Sequence, residues 1–363
     1  MISAISKRII DPFFGRGASA VTVPPLDGAL LPNRLLDEAP LRIACQGVSN
    51  IALTRTGVLL AADNRLIQLN SNGSLDAWRE FGHSISCLGG DDDAIAVGFD
   101  NGEVEVFGGP LDGFKVSRQA GIRCPTAATI SGEWIYLCEG SRSRAPSDWR
   151  HDLMERNATG SVWSVNARTG QADRLATRLA YPNGIVKAGE DLIVSESWKH
   201  RLIRITLGGQ IEEVLTDLPG YPGRITRRPD GGYLLALFAP RSQLVEFVLR
   251  EHRFRRRMLE TIDPDHWIAP SLRSGRTFYE PLQGGGVKHL GILKPWSPTR
   301  SFGVLAVLDT NFQPVSSYHS RADGKTHGIT GAAEIGGLIF AVAAGDDVVV
   351  GLVTPETMEA ATL

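Results

Sequence analysis

Long hydrophobic runs are missing from this sequence. The most apolar windows, such as GLIFAVAAG near the end, are far shorter than the ~20 residues a membrane-spanning helix needs. No excess of either charge sign exists: 38 Lys and Arg stand against 40 Asp and Glu, a net of −2. That balance removes the electrostatic argument for nucleic acid as the main partner. The N-terminal stretch MISAISKRIIDPFFGRGASAVTVPPLDG has no apolar core ahead of a cleavage site, so a secretory signal is not expected. Cysteine is scarce, and Cys45, Cys87, Cys124 and Cys138 sit inside apolar runs without metal-type spacing. Buried free thiols in a reducing compartment are the expectation, and with them a cytoplasmic protein. Helical periodicity is nearly absent outside LREHRFRRRMLE (Leu249 to Glu260) and parts of the N-terminus.

What the chain has in quantity is the short apolar run, a Gly, Asp or Asn turn, and a second apolar run. IALTRTGVLLAAD, AIAVGFDNGEVEVFG, AATISGEWIYLCEG and HRLIRITLGGQIEEVL are examples. Such Val/Ile/Leu-rich, turn-bounded segments are strands joined in hairpins. With 42% hydrophobic residues, they supply enough apolar surface for a substantial core. The unit recurs about every forty residues, from starts near Gly47, Ile85, Cys124, Pro182, Pro222 and His327. Six units of about four strands predict an all-β, six-bladed β-propeller, whose radial closure leaves few open edges. LRIAC near Leu41 is expected to complete the last blade. Residues 1–39 read as an N-terminal arm and residues 40–363 as the propeller. A long insertion at about 240–300 interrupts the fifth blade, and a shorter one surrounds SRSRAPSDWRHDLMERNAT.

Two segments read as variants of one phrase: YPNGIVKAGEDLIVSES from Tyr181 and YPGRITRRPDGGYLLAL from Tyr221. They differ where the turn enters the first strand, Asn183-Gly184 in one and Gly223-Arg224 in the other. In a propeller those positions meet at one mouth of the central channel.

The stretch from GSRSRAPSDWRHDLMERNATGSVW through YPNGIVKAGEDLIVSESWKHRLIRITLGG to DLPGYPGRITRRPDGGYLLALFAPR closely resembles the strictosidine synthase-like family. That family belongs with gluconolactonase, regucalcin and paraoxonase in a six-bladed propeller superfamily. The resemblance covers about Pro40 to Val353, more loosely in the final blades. It implies a small-molecule enzyme working at the channel mouth, with ester or lactone hydrolysis the leading reaction. In hydrolytic relatives a divalent metal, usually calcium, sits there on Glu, Asn and Asp side chains and polarises the carbonyl. Carried over, the first-blade Glu falls at Ser49, the third-blade Asn near Thr126, and the fourth-blade Asn is kept as Asn183. The fifth-blade Asp-Asn pair falls on Gly223-Arg224. Asn183 is thus a metal ligand only if a metal binds at all, and calcium at the usual place is not expected. The last-blade Glu with which plant alkaloid synthases deprotonate an amine falls at Thr330, with Glu334 in the following turn, so that mechanism is not implied.

Several residues carry two readings. Asn183 is a channel-lining amide or merely a turn residue. Arg224 either enters the channel, where a guanidinium binds a carboxylate or an oxyanion, or alternates outward to solvent. His327, like His319, is a general base or a satisfied structural histidine. Glu196 reads as structural, and the acidic run at Asp91 as an exposed hairpin turn. LREHRFRRRMLE is a solvated basic segment or part of a lid that attracts an anionic substrate or membrane surface. Asp148 or Glu155 is the residue that would return a carboxylate to the mouth. The expected ligand is a small, anionic organic molecule bound at Ser49, Thr126, Asn183, Arg224 and Thr330, with Arg224 and His327 as catalytic candidates. A metal-free lyase, isomerase or condensing enzyme, and a propeller without catalysis, are the alternatives.

Overall fold

The computed structural model describes residues 23–55, 57–70, 73–91, 93–116, 121–274, 276, 280 and 301–353. Its strands form six antiparallel sheets, five of four strands and one of three. The innermost strands are Val48–Thr54, Ile85–Gly90, Pro125–Ser131, Pro182–Ala188, Gly220–Arg227 and Ile329–Ile335, each starting at or beside a repeat start read from the sequence. Each packs against the innermost strand of the next blade, and the last packs against the first, so the ring is closed. Leu41–Ala44 pairs antiparallel with Val348–Val353 as the outer strand of the last blade, Leu41 opposite Gly351. Strands from the two ends of the ring therefore share one sheet, which leaves no open seam. Among the described residues the second blade has three strands, Ile85–Gly90, Ile95–Phe99 and Val104–Phe107. A single bridge from Glu105 to Lys115 stands where a fourth would run.

Apolar side chains fill the wedges between blades. Leu234, Ala236 and Leu305 of the fifth blade meet Ile339, Ala341 and Val350 of the sixth, all buried. Fully burying a side chain of Leu or Ile size contributes about 1.5–3 kcal/mol. Near the axis the backbones touch, which dictates glycine: a Cβ at Gly184 would lie 2.2 Å from the Gly223 carbonyl oxygen, and one at Gly89 2.1 Å from that of Ala128.

The described part of the arm lies on the fifth and sixth blades. Asn33 donates to the Ser317 carbonyl (2.8 Å) and accepts from the His319 N–H (2.9 Å), and Leu36 is buried in the core. Residues 1–22 lie outside the described residues.

Three short helices cover the mouth side of the ring: α1 (Trp149–Glu155) from the third blade, and α2 (Gln243–Arg250) and α3 (His252–Thr261) from the fifth. The basic segment LREHRFRRRMLE thus spans two helices that break at Glu251. Val245, Val248, Leu249 and Met258 pack with Phe238 and Tyr221 of the blade and with Met154 of α1. A buried polar cluster pins α2 to the ring: Glu246 lies 3.1 Å from His200 Nε2 and 3.5 Å from Arg241 Nε. Tyr221 donates to the same carboxylate at 3.4 Å.

Candidate functional site

Every innermost strand is irregular at its entry. The ladder skips Ser49 between Val48 and Asn50, Ser86 between Ile85 and Cys87, and Asn183 between Pro182 and Gly184. It skips Thr126 between Pro125 and Ala127, Gly223-Arg224 between Pro222 and Ile225, and Thr330 between Ile329 and Gly331. A bulge frees one residue from pairing and re-aims its side chain, so six bulges at one level form a collar. Its members are Ser49, Ser86, Thr126, Asn183, Arg224 and Thr330, and all line one cavity of about 280 Å³. Five of these positions were reached from the sequence. Ser86 was not, although HSISCLGG enters its strand with the same pattern as GVSNIAL.

Arg224 occupies the floor. Its side chain is half-buried, open only to the channel, and its guanidinium donates to the carbonyls of Ser86 (2.7 Å) and Thr330 (3.4 Å). Among the described residues its Nε has no partner, and neither do Ser49 Oγ and Thr330 Oγ1. Loss of water lowers the pKa of Arg224, and no carboxylate among the described residues acts on it appreciably. A partly buried cation with no counter-charge is costly, and an anion placed there would be bound by that unspent charge.

The wall above is aromatic: Trp149, Tyr181 and Phe238 line the cavity, joined by Leu272 from the insertion. Tyr181 holds a left-handed backbone, φ 59°, at the strand entry and stacks on Trp198 at 4.5 Å. Tyr221, its counterpart in the second phrase, is buried behind the wall instead. Hydrogen bonds between blades stiffen the collar: Thr126 donates to the Pro182 carbonyl (2.6 Å), Ser195 to that of Gly223 (2.7 Å) and Ser197 to that of Pro222 (2.6 Å).

Other candidates lie elsewhere. His327 is buried off the cavity wall, its Nδ1 3.1 Å from Ser301 Oγ and its N–H donating to Asp346. Burial first, then the Arg273 charge, push its pKa down to about 4. His319 is buried under the arm with its Nε2 2.9 Å from Ser317 Oγ, and burial lowers it to about 4 as well. Glu196 is buried and accepts from the Ala180 N–H and from Arg201. Asp91 caps its own turn at the N–H groups of Asp93 and Ala94. Asp148 and Glu155 are both paired with Arg144, and Glu334 with Arg228. The carboxylates that do reach the wall are Asp63 and Asp100, which the sequence had not singled out. Asp100 accepts from the Ser147 N–H and hydroxyl, and the Asp63 side chain accepts no hydrogen bond from the described residues.

The donors at the bulges are one amide and neutral hydroxyls, whereas calcium takes carboxylates and carbonyls, and a guanidinium stands in their midst. Among the described residues no group of three His, Cys, Asp or Glu side chains is placed to hold a metal. The four cysteines are free and buried. No helix among the described residues is long and apolar enough to cross a membrane.

Fold and channel mouth together define a six-bladed β-propeller. Within that class the chain is similar to proteins named for strictosidine synthase and to adipocyte plasma membrane-associated proteins. It is 26% identical over 126 residues to protein strictosidine synthase-like 2 of Arabidopsis thaliana, covering 32% of this chain and 33% of that one. It is 28% identical over 130 residues to the adipocyte plasma membrane-associated protein of Danio rerio, 34% of this chain and 31% of that protein. The same protein of Bos taurus matches at 26% over 258 residues, 60% and 61% of the two chains. The chain thus spans from about a third to under two thirds of the length of these relatives. No protein-family model matches the sequence. Among solved structures, luciferin-regenerating enzyme shares the fold, with a TM-score of 0.51 at 10% identity over 86% of this chain and 93% of that one.

Proposed function

We propose that this propeller is a small-molecule enzyme that acts on an organic anion at the channel mouth, with Arg224 doing the charge work a divalent cation does in hydrolytic relatives. One observation carries the reading: a half-buried guanidinium stands at the floor of an aromatic-walled cavity, and no carboxylate among the described residues pairs with it. Ester or lactone hydrolysis is the reaction that the resemblance to the strictosidine synthase-like and gluconolactonase superfamily favours. The carbonyl oxygen would sit toward Arg224 at the floor of the cavity. Donors fixed in advance around a developing oxyanion often lower the barrier of such reactions more than any other single effect. Asp63 is the wall carboxylate available to take a proton from an attacking water, since Asp100 is already held by Ser147.

A second reading, a propeller that binds the same anion without turnover, is favoured by the lack of histidine and lysine on the described cavity wall. Calorimetric titration of small carboxylates, alongside a panel of esters and lactones in the presence of chelator, separates the two. Chelator-resistant turnover that Asp63→Asn abolishes supports the enzyme. Binding without turnover supports the second reading. Carboxylate binding unchanged in Arg224→Ala would overturn both.

A further inference from the structure

The outer side of the α2–α3 hairpin takes no part in the cavity. Its inner side is spent on packing, with Val245, Val248, Leu249 and Met258 buried. The outer side carries Phe247 at 40%, Phe254 at 50% and, at the end of α3, Ile262 at 45% exposure. Between these stand Arg253, Arg256 and Arg257, exposed and without an ion pair among the described residues. Arg255 is partly buried, and the nearby Arg156 and Arg256 charges help lower its pKa. Positive charge is therefore crowded here from two elements, since Arg156 ends α1. The acids nearby do not offset it: Glu246 is tied to His200, Asp265 to Arg150, and Glu251 and Glu260 leave the hairpin net positive.

Exposed arginines alternating with large apolar tips fit one surface chemistry better than others. Anionic lipid headgroups take the guanidinium groups while Phe and Ile enter the acyl boundary. A nucleic acid would use the charge and leave Ile262 and Phe247 in water. We propose that the α2–α3 hairpin docks the protein on an anionic membrane surface. The aromatic wall of Trp149 and Phe238 is the back of the cluster that holds the hairpin. A docked molecule therefore has its mouth beside the bilayer, where an amphiphilic organic anion would be drawn from the lipid.

The test is sedimentation of the whole chain with vesicles of phosphatidylcholine alone and of phosphatidylcholine mixed with phosphatidylserine. Binding should require phosphatidylserine, weaken with salt, and fall on the order of a hundredfold in Arg253→Glu/Arg256→Glu/Arg257→Glu. Phe247→Ser/Phe254→Ser should lose binding while a thermal melt stays unchanged, because both side chains are exposed. Both variants should keep carboxylate affinity at Arg224, so the channel reading and this one fail separately. Equal sedimentation of wild type and both variants would overturn the proposal, as would no binding to either vesicle. Tighter binding to duplex DNA than to the mixed vesicles would reassign the surface and overturn it too.

Discussion

Arg224 of the fifth blade donates to the carbonyl of Ser86 in the second, 2.7 Å away. Those blades stand opposite each other in the ring, so one side chain spans the channel and divides it. On the mouth side lies the cavity of about 280 Å³; on the other lies one of about 650 Å³, and Arg224 belongs to both walls. The lower chamber is faced by small and aliphatic residues such as Ala52, Gly89 and Ile185 and by the charged Arg55, Asp91, Lys187 and Arg227. Arg224 is thus the charged side chain that the two chambers share.

Arg224→Met should uncouple binding from folding. Charge-assisted hydrogen bonds contribute about 1.5–3 kcal/mol each, so anion affinity should fall at least about tenfold. The fold should barely respond, within about 2 kcal/mol, because removing a half-buried cation without a counter-charge offsets the two carbonyl bonds it made. Arg224→Lys should not restore affinity, since an ammonium lacks the planar fork. Titration calorimetry and urea melts read the two effects. A large stability loss with intact affinity would make Arg224 a structural strut.

Much of this was legible from local signals. A hairpin is set by its turn and its alternation, so six recurring strand pairs announced six blades, and LRIAC announced the closing strand. Ser49, Thr126, Asn183, Arg224 and Thr330 were placed by resemblance, and all five stand at bulges on one cavity. A bulge is a property of pairing between strands, and composition does not encode it; the resemblance that placed the other five named no position in the second blade, and Ser86 was missed. Asp63 and Asp100 were missed because they reach the wall from turns between strands. His327 sits two residues before an inner strand, but its ring turns behind the sheet to Ser301. The break at Glu251 was hidden because the basic run looks continuous.

Calcium should bind only after the collar is changed. The chain as it stands should give no heat with calcium and no shift in melting with chelator. Gly223→Asp/Arg224→Asn supplies a carboxylate and a second amide beside Asn183 and removes the guanidinium. The site has room, since a Cβ at Gly223 would meet Phe238 at 3.4 Å and its backbone is not left-handed. Calcium binding should appear in that variant and weaken on adding Asn183→Ala. Tight calcium binding by the unmodified chain would mean a site on other residues.

Acid should destabilise the fold before its carboxylates titrate. His319 and His327 are each lowered from 6.5 to about 4 by burial. Between those values the unfolded chain takes protons that the folded chain refuses, so stability falls as pH drops from about 6.5 to about 4. Above pH 6.5 the contribution is complete. Each shift corresponds to on the order of 3 kcal/mol. Urea melts at pH 7, 6, 5 and 4 should show the decline, and His319→Gln should flatten part of the slope. A slope unchanged in that variant would mean that other groups carry the acid response.

Glu246→Gln should loosen the hairpin and, through it, the mouth. The carboxylate is shared by His200, Arg241 and Tyr221, and its pKa is lowered: burial alone would raise it, but the His200 contact and neighbouring cations outweigh that. Removing one member of such a cluster leaves Arg241 with the exposed Asp217 and the Leu218 carbonyl. Breaking a buried pair from one side costs about 3–5 kcal/mol, and here the loss falls first on α2 and α3. Hydrogen exchange should quicken across residues 243–261 while the sixth blade keeps its protection. Val245 and Met258 back the wall at Phe238, so ligand affinity at Arg224 should also drop, with no change in which anions are preferred. Faster exchange spread evenly over all blades would mean that Glu246 supports the ring as a whole and not the docking of the hairpin.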